Sequence, residues 1–125
     1  MIDFKNFKRE KLEKFNNGDG YITRYMYSDE TVKIMKITIK KGSSIGLHQH
    51  VSNLEVAYVL SGVATSIVDG VKETVEKGCA IYCPNKASHI IENNGTANLV
   101  LFCVIAEVNR ETTDWKKWYN LLKLY

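Results

Sequence analysis

Two of the three histidines of this 125-residue chain are separated by a single residue, in the stretch GLHQHVSNLE. Side chains at i and i+2 of a β-strand point to the same face, so His48 and His50 project together if the segment is extended. Glu55 follows five residues after His50, and Ser52 and Asn53 between them suit a turn. If the chain reverses there, two imidazoles and a carboxylate converge, which suits a divalent transition metal. The alternative is a polar surface loop that binds nothing.

The segments around these residues have the patterns of short β-strands. TVKIMKITIK alternates, with Met35, Ile37 and Ile39 on one side, and this pattern predicts a half-buried strand. NLVLFCVIAEV is apolar on both faces, which predicts a strand covered on both sides. Asp69-Gly70 between two β-prone runs predicts a hairpin with a type I′ turn. Many short strands with Gly, Asn and Asp between them indicate an all-β sandwich or barrel.

The two ends of the chain have helical patterns. FKREKLEKF predicts a short N-terminal helix. TTDWKKWYNLLKLY predicts a C-terminal helix over about 113–124, because Trp115, Trp118 and Leu122 recur at helical spacing. We therefore expect one domain over residues 1–125, with the barrel at about 20–108 and the C-terminal helix laid against it.

Composition excludes several classes of protein. An apolar fraction of 45% and a charged fraction of 25% are ordinary for a globular domain. A net charge of +3 is too small to indicate a nucleic-acid partner. The longest apolar run, Leu99 to Ala106, is too short to span a membrane, and the N-terminus lacks the apolar stretch of a secretory signal. We expect a cytoplasmic protein whose three dispersed cysteines are buried small hydrophobic residues.

The third histidine, His89, lies within a second spaced pattern. The chain reads G-x5-H-x-H-x4-E-x6-G from Gly42 to Gly62, and G-x5-P-x4-H-x3-N from Gly78 to Asn93. These segments resemble the two motifs of the cupin superfamily, G-x5-H-x-H-x3,4-E-x6-G and G-x5-P-x-G-x2-H-x3-N, and nine of the ten fixed positions match. Lys86 stands where the family usually has glycine, which predicts a slightly different turn before His89.

The resemblance implies an antiparallel β-barrel of jelly-roll type, as in small single-domain bacterial cupins. It also implies one divalent transition metal per chain, held inside the barrel by His48, His50, Glu55 and His89. Such a ligand set leaves two positions of an octahedral ion open for water, substrate or dioxygen. The metal is open among Mn, Fe, Co, Ni, Cu and Zn, because a mixed nitrogen and oxygen set follows metal availability.

Three functions fit these residues. The first is a metal-dependent enzyme, a dioxygenase, isomerase or lyase, acting on a small polar molecule in the barrel. The second is a non-catalytic cupin that binds a small molecule or sugar or acts as a sensor, and the third is a purely structural polar cluster. The side chains that we expect near such a molecule are Arg24, Tyr25, Tyr27, Tyr82 and Lys86.

The segment LVLFCVIA has a second apolar face, which indicates a contact with another element or another subunit. A small barrel interior takes up one face of this segment, so the other packs against the C-terminal helix or a second subunit. We expect a homodimer with a two-fold interface.

Overall fold

The computed structural model describes residues 1–108, and β-strands dominate this part of the chain. Short 3-10 turns lie at Phe4–Asn6 and Phe15–Asn17. In chain order the strands are β1 (Glu10–Glu13), β2 (Tyr21–Ser28), β3 (Val32–Ile39), β4 (Ser44–Gln49), β5 (Asn53–Ser61), β6 (Val63–Val68), β7 (Val71–Glu76), β8 (Ala80–Cys83), β9 (Ser88–Glu92) and β10 (Leu99–Glu107).

The strands form two antiparallel sheets that enclose one core. The larger has six strands in the order β1-β2-β3-β10-β5-β8, and the smaller has four in the order β4-β9-β6-β7. Neighbours in each sheet are mostly distant in sequence, as in a jelly roll, and the predicted all-β antiparallel barrel is confirmed. The chain crosses from the six-stranded sheet to the four-stranded sheet between β3 and β4, and β4 pairs there with β9, so the two parts of the histidine pattern lie side by side.

Alternating side chains fill the space between the sheets. On β3, Met35, Ile37 and Ile39 are buried and the lysines between and before them are exposed, as the alternation predicts. On β10, Leu101 and Cys103 are fully buried in the same core. The predicted hairpin is also present, because β6 and β7 are joined at Asp69 and Gly70, which both have the positive φ angles of a type I′ turn.

The predicted N-terminal helix is wrong. Within FKREKLEKF the chain forms strand β1, which pairs with β2 so that Glu10 lies opposite Arg24 and Leu12 opposite Ile22. Leu12 packs against the core. This contact and the hydrogen bonds to the edge of β2 outweigh the preference of the lysines and glutamates for a helix. The predicted C-terminal helix lies outside the described residues. Within residues 1–108 no helix is long and apolar enough to cross a membrane.

Candidate metal centre

Strands β4 and β9 bring two histidines together from opposite ends of the sequence pattern. They pair antiparallel with His48 directly opposite His89. The register shifts between Ile45 and His48, because three residue steps on β4 match two on β9. This irregularity is a β-bulge, which re-aims side chains locally. Ile45 and His48 therefore both line the interior although they are three residues apart.

A tight reversal after β4 adds the other two side chains. His50 follows the last residue of β4, and its backbone N–H donates to the carbonyl of Ala87, 3.0 Å away. Ser52 has a φ of +64°, and the chain then enters β5 at Asn53. The predicted turn is thus present, and it places Glu55 on the inner face of β5, where only 4% of the residue is exposed.

The four side chains converge on one point. One oxygen of Glu55, Oε2, lies 2.8 Å from Nε2 of His50 and 3.3 Å from Nε2 of His89. Nε2 of His89 lies 3.0 Å from Nε2 of both His50 and His48. Four potential ligand atoms, one from each residue, lie within 4.8 Å of one another. This group is called the His₃Glu cluster below.

The other ring nitrogens of two histidines are tied to oxygen atoms. Nδ1 of His48 lies 2.8 Å from the carbonyl of Gly46, which can only accept, so this nitrogen carries the proton. Nδ1 of His50 donates to the side-chain oxygen of Asn53, whose amide nitrogen faces the carbonyl of Val51. With Nδ1 protonated, each of these rings presents the lone pair of Nε2 to the cluster when it is neutral. His50 donates from Nε2 to Glu55 only when the ring carries both protons. Such partners commonly orient metal-binding histidines.

The charges around the cluster favour a carboxylate and at least one neutral imidazole. Burial of Glu55 by itself would raise its pKa, but hydrogen bonds from His50 and His89 outweigh burial and lower the pKa to about 2. Burial lowers the pKa of His48, which favours the neutral ring that binds a metal. The hydrogen bond to Glu55 raises the pKa of His50. Nitrogen lone pairs at 3.0 Å repel unless a proton or a metal cation lies among them, so the donor set fits a divalent transition metal.

The cysteines do not join the cluster. Burial, with a smaller effect of Glu55, raises the pKa of Cys83 to about 11 and that of Cys103 well above its usual range. Both thiols stay protonated at neutral pH and pack as small hydrophobic side chains, as the sequence predicts. Cys79 differs from the prediction, because it is exposed.

A cavity of about 280 Å³ opens beside the cluster. His48, His50 and Glu55 line it together with Arg24, Lys33 and Asn16. Its apolar wall comes from side chains of the core and from the turn before β2, namely Phe15, Met35, Ile37, Ile45 and Ile105. A mostly apolar cavity with a few convergent polar groups is typical of small-molecule sites.

Of the other side chains that the sequence suggested near a bound molecule, Arg24 alone lines this cavity. Tyr25 lies on the outside against Phe4, and Tyr82 is 56% exposed on the outer face of β8. The Tyr27 hydroxyl donates to the carboxylate of Asp29 in the turn between β2 and β3. None of these tyrosines therefore lines the cavity, although the sequence predicted that they would lie near the bound molecule.

Lys86 is also outside the cavity, but its backbone supports the cluster. It has a φ of +76°, the left-handed conformation that glycine adopts without strain. Its N–H donates to the carbonyl of His50, 2.7 Å away, and its own carbonyl accepts from the side chain of Gln49. The turn before His89 therefore keeps a glycine-like backbone despite the lysine, and the loop is tied to the end of β4.

Comparison with known proteins identifies the family. Residues 35–105 match the model of the cupin domain, and this range includes all four residues of the cluster. The chain belongs to the cupin family. It is 34% identical over 110 residues to an uncharacterized protein of Methanocaldococcus jannaschii, with 82% of this chain and 88% of that protein covered. It is 26% identical over 102 residues to an oxalate-binding protein of Thermotoga maritima, with 77% and 84% covered.

Solved structures show the same fold. A crystal structure described as a predicted oxalate decarboxylase from Thermotoga maritima superposes with a TM-score of 0.81 at 22% identity, over 86% of this chain and 99% of that one. An RmlC-like cupin from Shewanella frigidimarina gives a TM-score of 0.72 at 18% identity, over 90% and 95% of the two chains. At these identities the likeness establishes the jelly-roll fold alone.

Proposed function

We propose that the His₃Glu cluster holds one divalent transition metal and that the protein is a metal-dependent enzyme acting on a small polar molecule in the adjoining cavity. His48, His50 and His89 would bind the ion through Nε2, and Glu55 through Oε2. When bound, such an ion supplies Lewis acidity that polarises a carboxylate or carbonyl oxygen.

One observation carries the proposal: three Nε2 atoms and one carboxylate oxygen converge beside a cavity whose wall includes His48, His50 and Glu55. A purely structural cluster has no need of a cavity, and a buried polar network is stable only when its members satisfy one another. Here Nε2 of His89 faces Nε2 of both His48 and His50 at 3.0 Å, and neutral rings with these lone pairs turned inward cannot all satisfy one another. The arrangement is therefore costly as a hydrogen-bond network and suitable as a ligand set.

The cavity favours a small anion as the substrate. Arg24 and Lys33 bring positive charge to its wall beside the carboxylates of Asp29 and Glu107, a bound divalent ion would add further positive charge, and the size suits a molecule of a few carbon atoms. A curated relative and a solved structure, both from Thermotoga maritima, carry oxalate in their names, the first as an oxalate-binding protein and the second as a predicted oxalate decarboxylase. We therefore propose small carboxylates that chelate metal as the substrate class, and a lyase reaction as the first chemistry to test.

The second candidate is a non-catalytic cupin that binds such an anion. It is favoured by the name of the oxalate-binding relative and by the cavity wall, which offers no tyrosine or additional histidine within residues 1–108 as a proton donor. Both candidates require the same metal and the same cavity. They differ only in whether the bound anion reacts.

Elemental analysis of protein purified without chelator tests the metal centre. We expect about one divalent ion per chain, and nearly none in Glu55→Gln, which retains the size of the side chain but loses the anionic ligand. Glu92→Gln is the matched control, because Glu92 lies on β9 outside the cluster and its loss should leave the metal content unchanged. Equal metal content in Glu55→Gln and the wild type would refute the proposed site.

Turnover separates the two candidates. The metal-loaded protein is incubated with oxalate, and with malonate and glycolate in parallel, and carbon dioxide and organic products are measured. Product formation that Glu55→Gln abolishes and Glu92→Gln retains supports the enzyme. Saturable binding of oxalate to the loaded protein, without product under any of these conditions, supports the binding protein.

A further inference from the structure

Arg24 is a charged residue on an otherwise apolar inner face. It lies on β2 between Ile22 and Met26, which both pack against the core, and it pairs across the sheet with Ile37. Only 16% of its side chain is exposed. Because an arginine inside a barrel loses hydration, its placement requires partners that compensate for the lost water.

The guanidinium is held from one side only. Its Nε and Nη2 atoms lie 3.4 and 3.2 Å from the same carboxylate oxygen of Glu10, the residue opposite on β1. The ring of Phe15 lies beside it, 5.4 Å from the Arg24 Cζ atom to the ring centroid. A guanidinium has five N–H donors, and no other hydrogen bond of this group is found within residues 1–108. The side chain is therefore fixed in position with part of its donor fork unused.

The unused donors belong to a residue of the same cavity wall as His48 and Glu55. The other cation of the wall, Lys33, is on an exposed position of β3. Of the other acids of the wall, Asp29 is occupied by its own turn, because it accepts from the backbone N–H groups of Thr31 and Val32 at 2.8 and 2.9 Å. Glu107 also lines the cavity, and it forms no ion pair with Arg24 within residues 1–108. Arg24 is thus the half-buried, positioned cation of the cavity.

We propose that Arg24 determines ligand specificity by binding an anionic group at one end of a molecule whose other end binds at the His₃Glu cluster. The ligand class is a short hydroxy acid with a second carboxylate. The assignment rests on the proposed function, since the cluster end of the ligand requires the metal. Arginine suits the other end because its planar fork can donate two parallel hydrogen bonds to a carboxylate.

The experiment uses two matched ligand pairs and cobalt-loaded protein. Malate is compared with 2-hydroxybutyrate, and 2-hydroxyglutarate with 2-hydroxypentanoate. Within each pair the chelating end and the carbon chain are the same and only the second carboxylate differs. Dissociation constants are measured by calorimetry and by the cobalt absorption spectrum, so the result does not depend on turnover.

We expect the wild type to bind the dicarboxylate of at least one pair about 10- to 100-fold more tightly, the effect of hydrogen bonds between charged groups. Arg24→Gln should lose this preference while its dissociation constant for the monocarboxylate stays unchanged, which also shows that the variant is folded. Arg24→Lys should keep part of it. Lys36→Gln, which removes the same charge from an exposed position of β3, should keep all of it.

Two failures are distinguishable. Failure of the wild-type protein to take up cobalt would refute the proposed function and this assignment with it. Failure of all four acids to bind the cobalt-loaded protein would refute this assignment alone. Tight binding without a preference for the second carboxylate, or with a preference that Arg24→Gln retains, would refute the role of Arg24 and leave the metal centre standing.

Discussion

A methyl group added at Gly46 should loosen both the barrel and the candidate metal centre. Gly46 is buried in β4, two residues before His48, and the turn Phe15–Asn17 crosses directly over it. A Cβ atom here would collide with the carbonyl oxygen of Asn16 and would lie 2.6 Å from the backbone nitrogen of Gly18. These neighbours are backbone atoms, so no side chain can rotate away to make room.

The size of the effect follows from the distances. Ordinary contact begins near 3.4 Å, so the turn and β4 must separate by roughly 0.8 Å or more. Overpacking of this kind costs typically 1–3 kcal/mol, and we expect about 3 kcal/mol because backbone must move. For a chain of this size that lowers Tm by about 10–15 °C. The carbonyl of Gly46 also accepts the hydrogen bond that orients His48, and loss of such a partner weakens metal binding by about 10-fold or more.

The assay is thermal unfolding followed by circular dichroism, with metal affinity measured by competition against a chelator. Gly95→Ala is the matched control, because a Cβ there would meet Oδ1 of Asn93 at 3.4 Å and no backbone atom closer than 3.8 Å. We expect this control to stay within about 0.5 kcal/mol of wild type. If Gly46→Ala matched the control in both stability and metal affinity, the inferred contact between the turn and β4 would be wrong.

Other predictions concern single residues. Ellman's reagent at pH 8 should react with Cys79 alone in the native protein and with all three cysteines in denaturant. The reason is that Cys83 and Cys103 are buried and their raised pKa values keep the thiols protonated. Rapid reaction of two thiols in the native protein would contradict this. Lys86→Gly should raise the free energy of unfolding by about 0.5–1 kcal/mol, because it relieves the left-handed strain at φ +76°; a loss of stability in urea denaturation would argue against it. Light scattering should give the mass of a dimer, and Phe102→Glu on the apolar outer face of β10 should give a monomer; a wild-type monomer at micromolar concentration would contradict the dimer.

The sequence predicted most of the strands and the convergence of His48, His50 and Glu55 because both depend on local patterns. The spacing of His48 and His50 and the turn before Glu55 are properties of ten consecutive residues, and the structure contains each of them. His89 is different, since no periodicity links it to residues 41 positions earlier. Its pairing with His48 was accessible only through the resemblance to the cupin motifs, and the role of all four residues as ligands stays a prediction.

Features that depend on register and on edges were missed. The β-bulge between Ile45 and His48 leaves no mark in the hydrophobic pattern, because it becomes defined only when β4 meets β9. Local propensity predicts a helix for the N-terminal segment because it takes no account of the edge of β2, to which this segment bonds. With β1 placed on that edge, alternation from Ile22 would have turned Arg24 inward and Tyr25 outward, which is what the structure shows.

Part of the cavity wall lies outside the range that the family model matches. All four residues of the His₃Glu cluster lie within residues 35–105, whereas Glu10, Phe15 and Arg24 precede that range. The family match therefore covers the candidate metal ligands, whereas the segment before residue 35 supplies side chains that would contact a molecule bound at the metal. This division explains why a cluster common to many cupins need not imply a common substrate, since fold and ligand set can persist while the wall changes. In this chain that segment supplies the guanidinium of Arg24, and the proposed preference for a second carboxylate depends on it.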